Sequence, residues 1–258
     1  MLLTEQEIKE LQKYRFSIER TPDTRFAVRV DQLLDEDELK NYLDLLQYKI
    51  NAPQPAVAAS ILMKRFSFLA VMALYAMSVW DKRLNLQPEN IWFVSDYQSE
   101  YWLPKFRFES LEYDLPDTDR IIWRTGTISI LFSKHISPLI DMLHKCTKLS
   151  KLTLWENVAI YVFWLYETVM KDAAYHEFRN KLFKDFQFVT HDAPGELFGD
   201  YTDNPLRRFH SNKIYLTENE KHIRVRTTCC LYYKMEKDGT RCDSCPLKCN
   251  KFTHFKHH

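Results

Sequence analysis

Residues 56–80 read AVAASILMKRFSFLAVMALYAMSVW, an almost unbroken apolar stretch. A run of this length without Gly or Pro favours a long helix rather than a strand. Its most apolar part, residues 66–80, is 15 residues long and directly follows Lys64 and Arg65. A membrane-spanning helix needs about 20 apolar residues. We therefore predict a helix buried in the core of a globular protein.

Weaker periodic patterns on both sides of this helix predict an α+β fold. Helical spacing is found from a capping box at Thr4 and Glu7, and in residues 35–48, 127–146 (with a kink at Pro138), 153–170 and 173–186. Alternating patterns predict strands at residues 26–30, 91–94 and 105–113 and a hairpin at 214–225. We expect a mostly helical N-terminal domain with a small antiparallel sheet over residues 1–190, a loop or boundary at 191–212, and a short C-terminal segment at 213–258.

Composition and charge exclude several classes of protein. The chain contains only four glycines, none of them in a G-x-G-x-x-G turn or a phosphate-binding loop, so a nucleotide site of these kinds is not expected. The net charge of +1 conceals a basic end, because residues 205–258 carry 12 Lys and Arg against 5 Asp and Glu. This end lacks the basic helix or spaced aromatic residues of a nucleic-acid domain. We expect no nucleic-acid partner.

The cysteines are strongly clustered. Five of the six lie between Cys229 and Cys249, with the spacing Cys-Cys-x11-Cys-x2-Cys-x3-Cys. Glutamates occupy the N-terminal positions where a secretory signal would be basic, which predicts a cytoplasmic protein whose thiols stay reduced. The cluster therefore indicates a metal centre rather than disulfides. From spacing alone an iron–sulfur cluster, a structural zinc and a redox-active dithiol all remain open.

Two short sequence motifs that contain these cysteines narrow the choice among the three kinds of site. RTTCCLYY at residues 226–233 and CDSCPL at residues 242–247 resemble the C-terminal motif of the FhuF-type ferric siderophore reductases. The resemblance implies that Cys229, Cys230, Cys242 and Cys245 hold a 2Fe-2S cluster, bound by the segment at 213–258, which passes one electron to ferric iron in a siderophore. The family pattern has ten residues between the cysteine pair and the C-x2-C, whereas this chain has eleven. Cys249 is then either a bystander or a substitute ligand.

The resemblance also implies a function and partners. We expect a ferric-siderophore reductase acting on hydroxamate or hydroxamate–carboxylate chelates, with electrons from an external ferredoxin or reduced flavoprotein. Arg207 and Arg208 are candidates for binding an anionic siderophore, and Arg224 and Arg226 for tuning the cluster. A peripheral position on the inner face of the membrane stays open. The alternatives are a zinc-containing scaffold of a siderophore pathway and an iron–sulfur redox sensor.

Overall fold

The computed structural model describes residues 1–20, 25–117, 119–216, 220–235 and 239–249. Its helices are α1 (Glu5–Gln12), α2 (Val30–Leu33), α3 (Glu36–Lys49), α4 (Pro55–Phe66), α5 (Phe68–Trp80), α6 (Arg120–Leu131), α7 (Ser137–Thr147), α8 (Lys151–Val169), α9 (Arg179–Gln187) and α10 (Pro246–Cys249). Its strands are β1 (Phe16–Ser17), β2 (Phe26–Arg29), β3 (Arg83–Leu84), β4 (Ile91–Ser95), β5 (Lys105–Phe108), β6 (Tyr113–Asp114), β7 (Ile214–Leu216) and β8 (Lys221–Ile223). The predicted α+β class is confirmed.

The predicted central helix forms as two consecutive helices, α4 and α5. The hydroxyl of Ser67, between them, donates a hydrogen bond of 2.7 Å to the carbonyl of Met63 one turn earlier. Such a bond competes with the helical ladder and bends the chain. Together α4 and α5 are long and apolar enough to span a membrane by length and composition, but 83% of their most apolar window is buried inside the protein. The prediction of a buried core helix is confirmed by this burial.

The main sheet has four strands in the order β1-β5-β4-β2. Three of the strands are antiparallel as predicted, whereas β1 runs parallel to β5. The face towards α4 is aromatic: the rings of Phe93 and Phe106 each lie edge-on to Phe66, with centroids 5.6 and 5.5 Å away. The prediction of a single strand at residues 105–113 is wrong. This segment divides into β5 and β6, and β6 pairs with β3 instead.

Helices α6 and α7 are joined by a π-helical turn, Phe132–Ile136, which lies just before the predicted kink at Pro138. Pro138 itself sits in the first turn of α7, where a missing backbone N–H costs little. The turn buries His135 completely, and the imidazole Nε2 bonds to the carbonyl of Leu86 at 2.7 Å. The helix also begins earlier than predicted, at Arg120, because Asp119 caps it.

The segment at 191–212 packs against the helices. Phe198 is fully buried against Phe132, with ring centroids 4.6 Å apart. At Gly195 a Cβ atom would lie 2.2 Å from the carbonyl oxygen of Tyr201, so only glycine fits this approach. The predicted hairpin follows as β7 and β8. The division into residues 1–190, 191–212 and 213–258 stays a prediction.

The burial of His135 predicts a specific acid sensitivity. Desolvation lowers the imidazole pKa to about 4, below its ordinary 6.5, so the folded protein holds the neutral form. The unfolded chain then binds more protons below pH 6.5, and stability falls as the pH is lowered towards 4. Between pH 7.5 and 5 this single group should cost about 2 kcal/mol.

His135→Gln keeps a donor for the Leu86 carbonyl and removes the titration. Denaturation of both proteins across this pH range should show a shallower decline for the variant. Equal declines would contradict the assignment.

Candidate metal centre

The vicinal cysteines occupy a bend rather than a strand. Leu231, which follows the pair, adopts a left-handed backbone with φ 62°, and a short 3-10 turn begins at Tyr232. The bend aims the Leu231 N–H at the Cys229 sulfur, 3.4 Å away, and the Tyr232 N–H at the Cys230 sulfur. Two consecutive side chains can therefore approach one centre. Each sulfur also gains a backbone donor, which stabilises negative charge on it.

The C-x2-C segment forms a tight turn before α10. The Cys245 N–H bonds to the Cys242 carbonyl at 3.0 Å, and Pro246 then begins the short helix. Cys249, at the end of α10, is buried, and its thiol donates to the carbonyl of Asp243 at 3.0 Å. The thiol of Cys249 is therefore already engaged with the backbone of its own turn.

The four candidate ligands are close enough to influence one another's charge. The Cys242 thiol hydrogen bonds to the Cys230 sulfur, and Cys229 does the same with Cys245. The contact with Cys242 is the main cause that lowers the pKa of Cys230, and the contact with Cys230 raises the pKa of Cys242. Negative charge is therefore favoured on Cys230 rather than on Cys242. Metal binding by cysteine requires thiolates.

A buried carboxylate from α8 holds the segment before the cysteines. Glu156 accepts hydrogen bonds from the Thr227 and Thr228 backbone N–H groups at 2.5 and 2.8 Å. It also accepts one from the Thr228 hydroxyl and lies 3.4 Å from the Arg226 guanidinium. The Glu156 and Arg226 side chains are each only 3% exposed. A buried pair of this kind is stable only when hydrogen bonds satisfy both ions, which is the case here.

The same network reaches α4. Arg226 Nη2 donates to the Asn157 side-chain oxygen at 2.7 Å, and Asn157 Nδ2 donates to the Ser60 hydroxyl at 3.0 Å. Ser60 in turn donates to the carbonyl of Cys230 at 2.7 Å. The Arg226 N–H also bonds to the carbonyl of Ser244, between Cys242 and Cys245. One continuous network thus positions both halves of the cysteine motif against the helical core.

A cation and a cavity lie on one side of the cysteines. Lys64 Nζ is 3.6 Å from the Cys230 sulfur, and its positive charge contributes to the lowered pKa of that thiol. Beside it is a cavity of about 320 Å³. The cavity is lined by Lys64, Phe68, Ile160, Tyr161, Trp164, Arg226, Cys230, Cys242 and Ser244. Two of the four candidate ligands therefore face a partly apolar opening.

The structure separates the arginines predicted from the sequence. Arg226 lies within the network just described and favours the Cys230 thiolate. Arg224 instead bonds to Glu167 at 2.9 Å and stacks over the Phe163 ring, so it fastens the chain to α8. Arg207 and Arg208 are exposed and line a different cavity of about 800 Å³, whose lining contains none of the four cysteines. Their predicted role in substrate binding stays a prediction.

The donor set fits a binuclear iron–sulfur cluster. Among the described residues no group of three or more His, Cys, Asp or Glu side chains is arranged around a single metal ion. A structural zinc places four ligands around one point. A 2Fe-2S cluster instead has two irons, each taking two thiolates. Cys229, Cys230, Cys242 and Cys245 supply the four thiolates that such a cluster requires.

Comparison with known families agrees with this geometry. The family described as ferric iron reductase FhuF-like transporter matches residues 60–215. The family described as FhuF 2Fe-2S C-terminal domain matches residues 226–247. The chain belongs to the FhuF-like ferric iron reductase family. Among curated proteins, none matches this chain.

Membership identifies the chain as an iron–sulfur oxidoreductase of ferric iron and its cofactor as a 2Fe-2S cluster. The C-terminal match contains Cys229, Cys230, Cys242 and Cys245 and ends before Cys249. The sequence resemblance to FhuF-type reductases is therefore confirmed.

Sequence reasoning missed the residues that support the cysteine motif. Glu156 and Asn157 interrupt an otherwise apolar helix, and Ser60 does the same in α4. Buried polar residues in an apolar pattern need hydrogen-bond partners, so the sequence could have predicted that these positions contact another polar segment. The identity of the partners was not readable, because Glu156 and Thr228 are 72 positions apart.

Removal of the Glu156 charge should destabilise the metal centre. In Glu156→Gln the buried Arg226 loses its counter-ion, and an amide replaces one of the acceptor oxygens. Loss of one member of a buried pair costs about 3–5 kcal/mol. We expect a matching fall in unfolding free energy and faster bleaching of the cluster's visible absorption in the presence of an iron chelator.

Glu177→Gln, an exposed change on the same chain, serves as the control and should leave both measurements unchanged. A Glu156→Gln protein that retained its cluster as long as the wild type would refute the role assigned to this carboxylate.

Proposed function

We propose that this protein reduces ferric iron in a siderophore chelate of the hydroxamate or hydroxamate–carboxylate type by one electron and so releases iron(II) in the cytoplasm. The observation that carries the proposal is the pair Cys230 and Cys242 at the edge of an open cavity. We assign Cys229, Cys230, Cys242 and Cys245 as the cluster ligands, with Cys249 as a bystander. A peripheral position on the inner face of the membrane is compatible with this role.

When bound, a 2Fe-2S cluster supplies a one-electron couple whose potential responds to hydrogen bonds and charges near its sulfurs. The chain provides several such hydrogen bonds and charges. The Leu231 N–H donates to Cys229, and Lys64 lies against Cys230. Both favour the electron-rich state, because each places positive charge or a donor at a sulfur ligand. Glu156 neutralises Arg226 and keeps the segment in place.

The proposed reaction transfers one electron and breaks no bond within the chelator. An external ferredoxin or reduced flavoprotein is oxidised by one electron, and one ferric ion is reduced to ferrous. Hard oxygen donors such as hydroxamates hold ferric iron much more strongly than ferrous iron, because the charge on the metal is higher. Reduction therefore weakens the chelate and releases the metal.

Two alternatives differ in what they predict. A zinc-containing scaffold would bind one zinc ion and show no visible absorption. The family match to a 2Fe-2S domain disfavours it. An iron–sulfur redox sensor would be coloured but would not turn over chelates. The open cavity beside Cys230 and Cys242 favours a reductase over a sensor, because it allows a chelate to approach the ligands.

Replacement of each clustered cysteine by serine tests the ligand assignment. Cys229→Ser, Cys230→Ser, Cys242→Ser and Cys245→Ser should each lose the red-brown absorption and most of the bound iron. Cys249→Ser should keep both, because its thiol bonds to the Asp243 carbonyl. Iron analysis and visible spectra of anaerobically purified variants are the measurements. Loss of iron in Cys249→Ser together with retention in Cys245→Ser would overturn the assignment.

Single-turnover reduction tests the function itself. The holoprotein, reduced with one equivalent of dithionite and freed of excess reductant, is mixed with a ferric hydroxamate in the presence of a ferrous-specific dye. We expect about one ferrous ion per cluster, with reoxidation of the cluster at the same rate. Reoxidation without ferrous ion, or no reoxidation by any chelate, would refute a reductase and favour a sensor.

A further inference from the structure

One wall of the cavity beside Cys230 and Cys242 is aromatic. The Phe68 ring centroid is 4.9 Å from that of Tyr161 and 6.3 Å from that of Trp164. Trp164 is 42% exposed, which is unusual for so large an apolar side chain on a core helix. At about 320 Å³ the cavity is at the lower end of small-molecule sites. It is therefore large enough for one edge of a metal chelate and too small for the whole of it.

Two cations, Arg15 and Lys64, adjoin this wall, and a third, Arg65, lies near Arg15. Arg15, whose backbone is left-handed with φ 72°, lies over the Phe68 ring at 4.8 Å. Lys64 lines the cavity, and Arg65 is close enough to Arg15 to repel it and lower its pKa, although burial is the larger cause. Arg65 also lines the neighbouring cavity beside Tyr232.

These cations lack acidic partners within the described part of the chain. None of the three forms an ion pair there, and the Nε atoms of Arg15 and Arg65 are buried without a hydrogen-bond acceptor. Within the described residues the Arg15 side chain contacts the carbonyl of Pro104 and the Phe68 ring, neither of which carries a negative charge. Like charges held together without counter-ions destabilise a protein unless a ligand supplies the missing charge. Arg226 does not add to this excess, since Glu156 neutralises it.

We propose, on the basis of the function proposed above, that this cavity binds one edge of an anionic ferric chelate. Phe68, Tyr161 and Trp164 provide the apolar contact, and Arg15, Lys64 and Arg65 provide the attraction. A cluster with four thiolate ligands is itself negative and would repel such a chelate. The three cations offset that repulsion and allow the chelate to reach the Cys230 and Cys242 sulfurs. Electron transfer falls steeply with distance, so this contact favours transfer to the bound iron.

A matched series of chelates isolates the effect of charge. The hydroxamate chelator desferrioxamine B carries a terminal amine remote from its metal-binding groups. The free amine gives a cationic metal complex, the acetylated form a neutral one and the succinylated form an anionic one, with the same donor atoms throughout. Complexes of gallium(III), which is not reduced under these conditions, report binding to the holoprotein by equilibrium dialysis. We expect the anionic complex to bind roughly fivefold more tightly than the cationic one.

Variants separate the contribution of charge to chelate binding from that of the apolar contact. Arg15→Gln/Arg65→Gln should remove most of the preference for the anionic complex, whereas Trp164→Ala should weaken all three complexes to a similar extent. Lys64 is left in place, because it also contacts the Cys230 sulfur. Lys134→Gln/Lys184→Gln removes the same charge from exposed positions and should change nothing.

The outcomes distinguish this inference from the proposed function. Equal binding of the three complexes, or a preference abolished by Arg207→Gln/Arg208→Gln instead, would overturn the assignment of the cavity. Iron reduction could still be observed in that case. If the gallium complexes bind in the expected order but the corresponding ferric complexes are not reduced, the inference holds and the reductase proposal fails.

Discussion

The metal centre depends on one buried carboxylate. Glu156 lies on α8 inside the core, and its two oxygens accept the backbone N–H groups of Thr227 and Thr228 just before the vicinal cysteines. Removal of a charge from water is costly, and it is offset here by the Arg226 guanidinium and by hydrogen bonds to both oxygens. Because few other arrangements satisfy so many donors at once, the network fixes the position of a segment that has little regular structure of its own.

Two parts of the chain have different roles in this arrangement. The helices supply a rigid framework, and the C-terminal segment supplies the sulfurs. Ser60 and Asn157 connect the two through the carbonyl of Cys230 and the side chain of Arg226. A cluster whose ligands are held this way should undergo little rearrangement when its charge changes, which favours rapid electron transfer. The same framework places Lys64 and the aromatic wall beside Cys230.

Much of the secondary structure was predictable, because it follows from local patterns. The capping box at Thr4 and Glu7 forms as expected, and so do the helices around residues 35–48 and 153–170. The errors have physical causes. The strand predicted at 105–113 divides in two because the second half pairs with β3, a choice made by tertiary contacts rather than by alternation. The π-helical turn before Pro138 was not predicted, since nothing in local propensity distinguishes it from a proline kink.

The sequence by itself determined the kind of site: clustered cysteines indicate a metal centre, because thiolates bind soft metals wherever they converge, and the resemblance of residues 226–233 and 242–247 to the FhuF-type motif narrows it to a 2Fe-2S cluster. The tertiary structure decided everything that depends on distance. It alone places Cys230 and Cys242 at one cavity, brings Glu156 to the threonine N–H groups, and lays Arg15 over the Phe68 ring near Lys64. These contacts join residues far apart in the chain, and the packing of α4, α5 and α8 determines which of them meet.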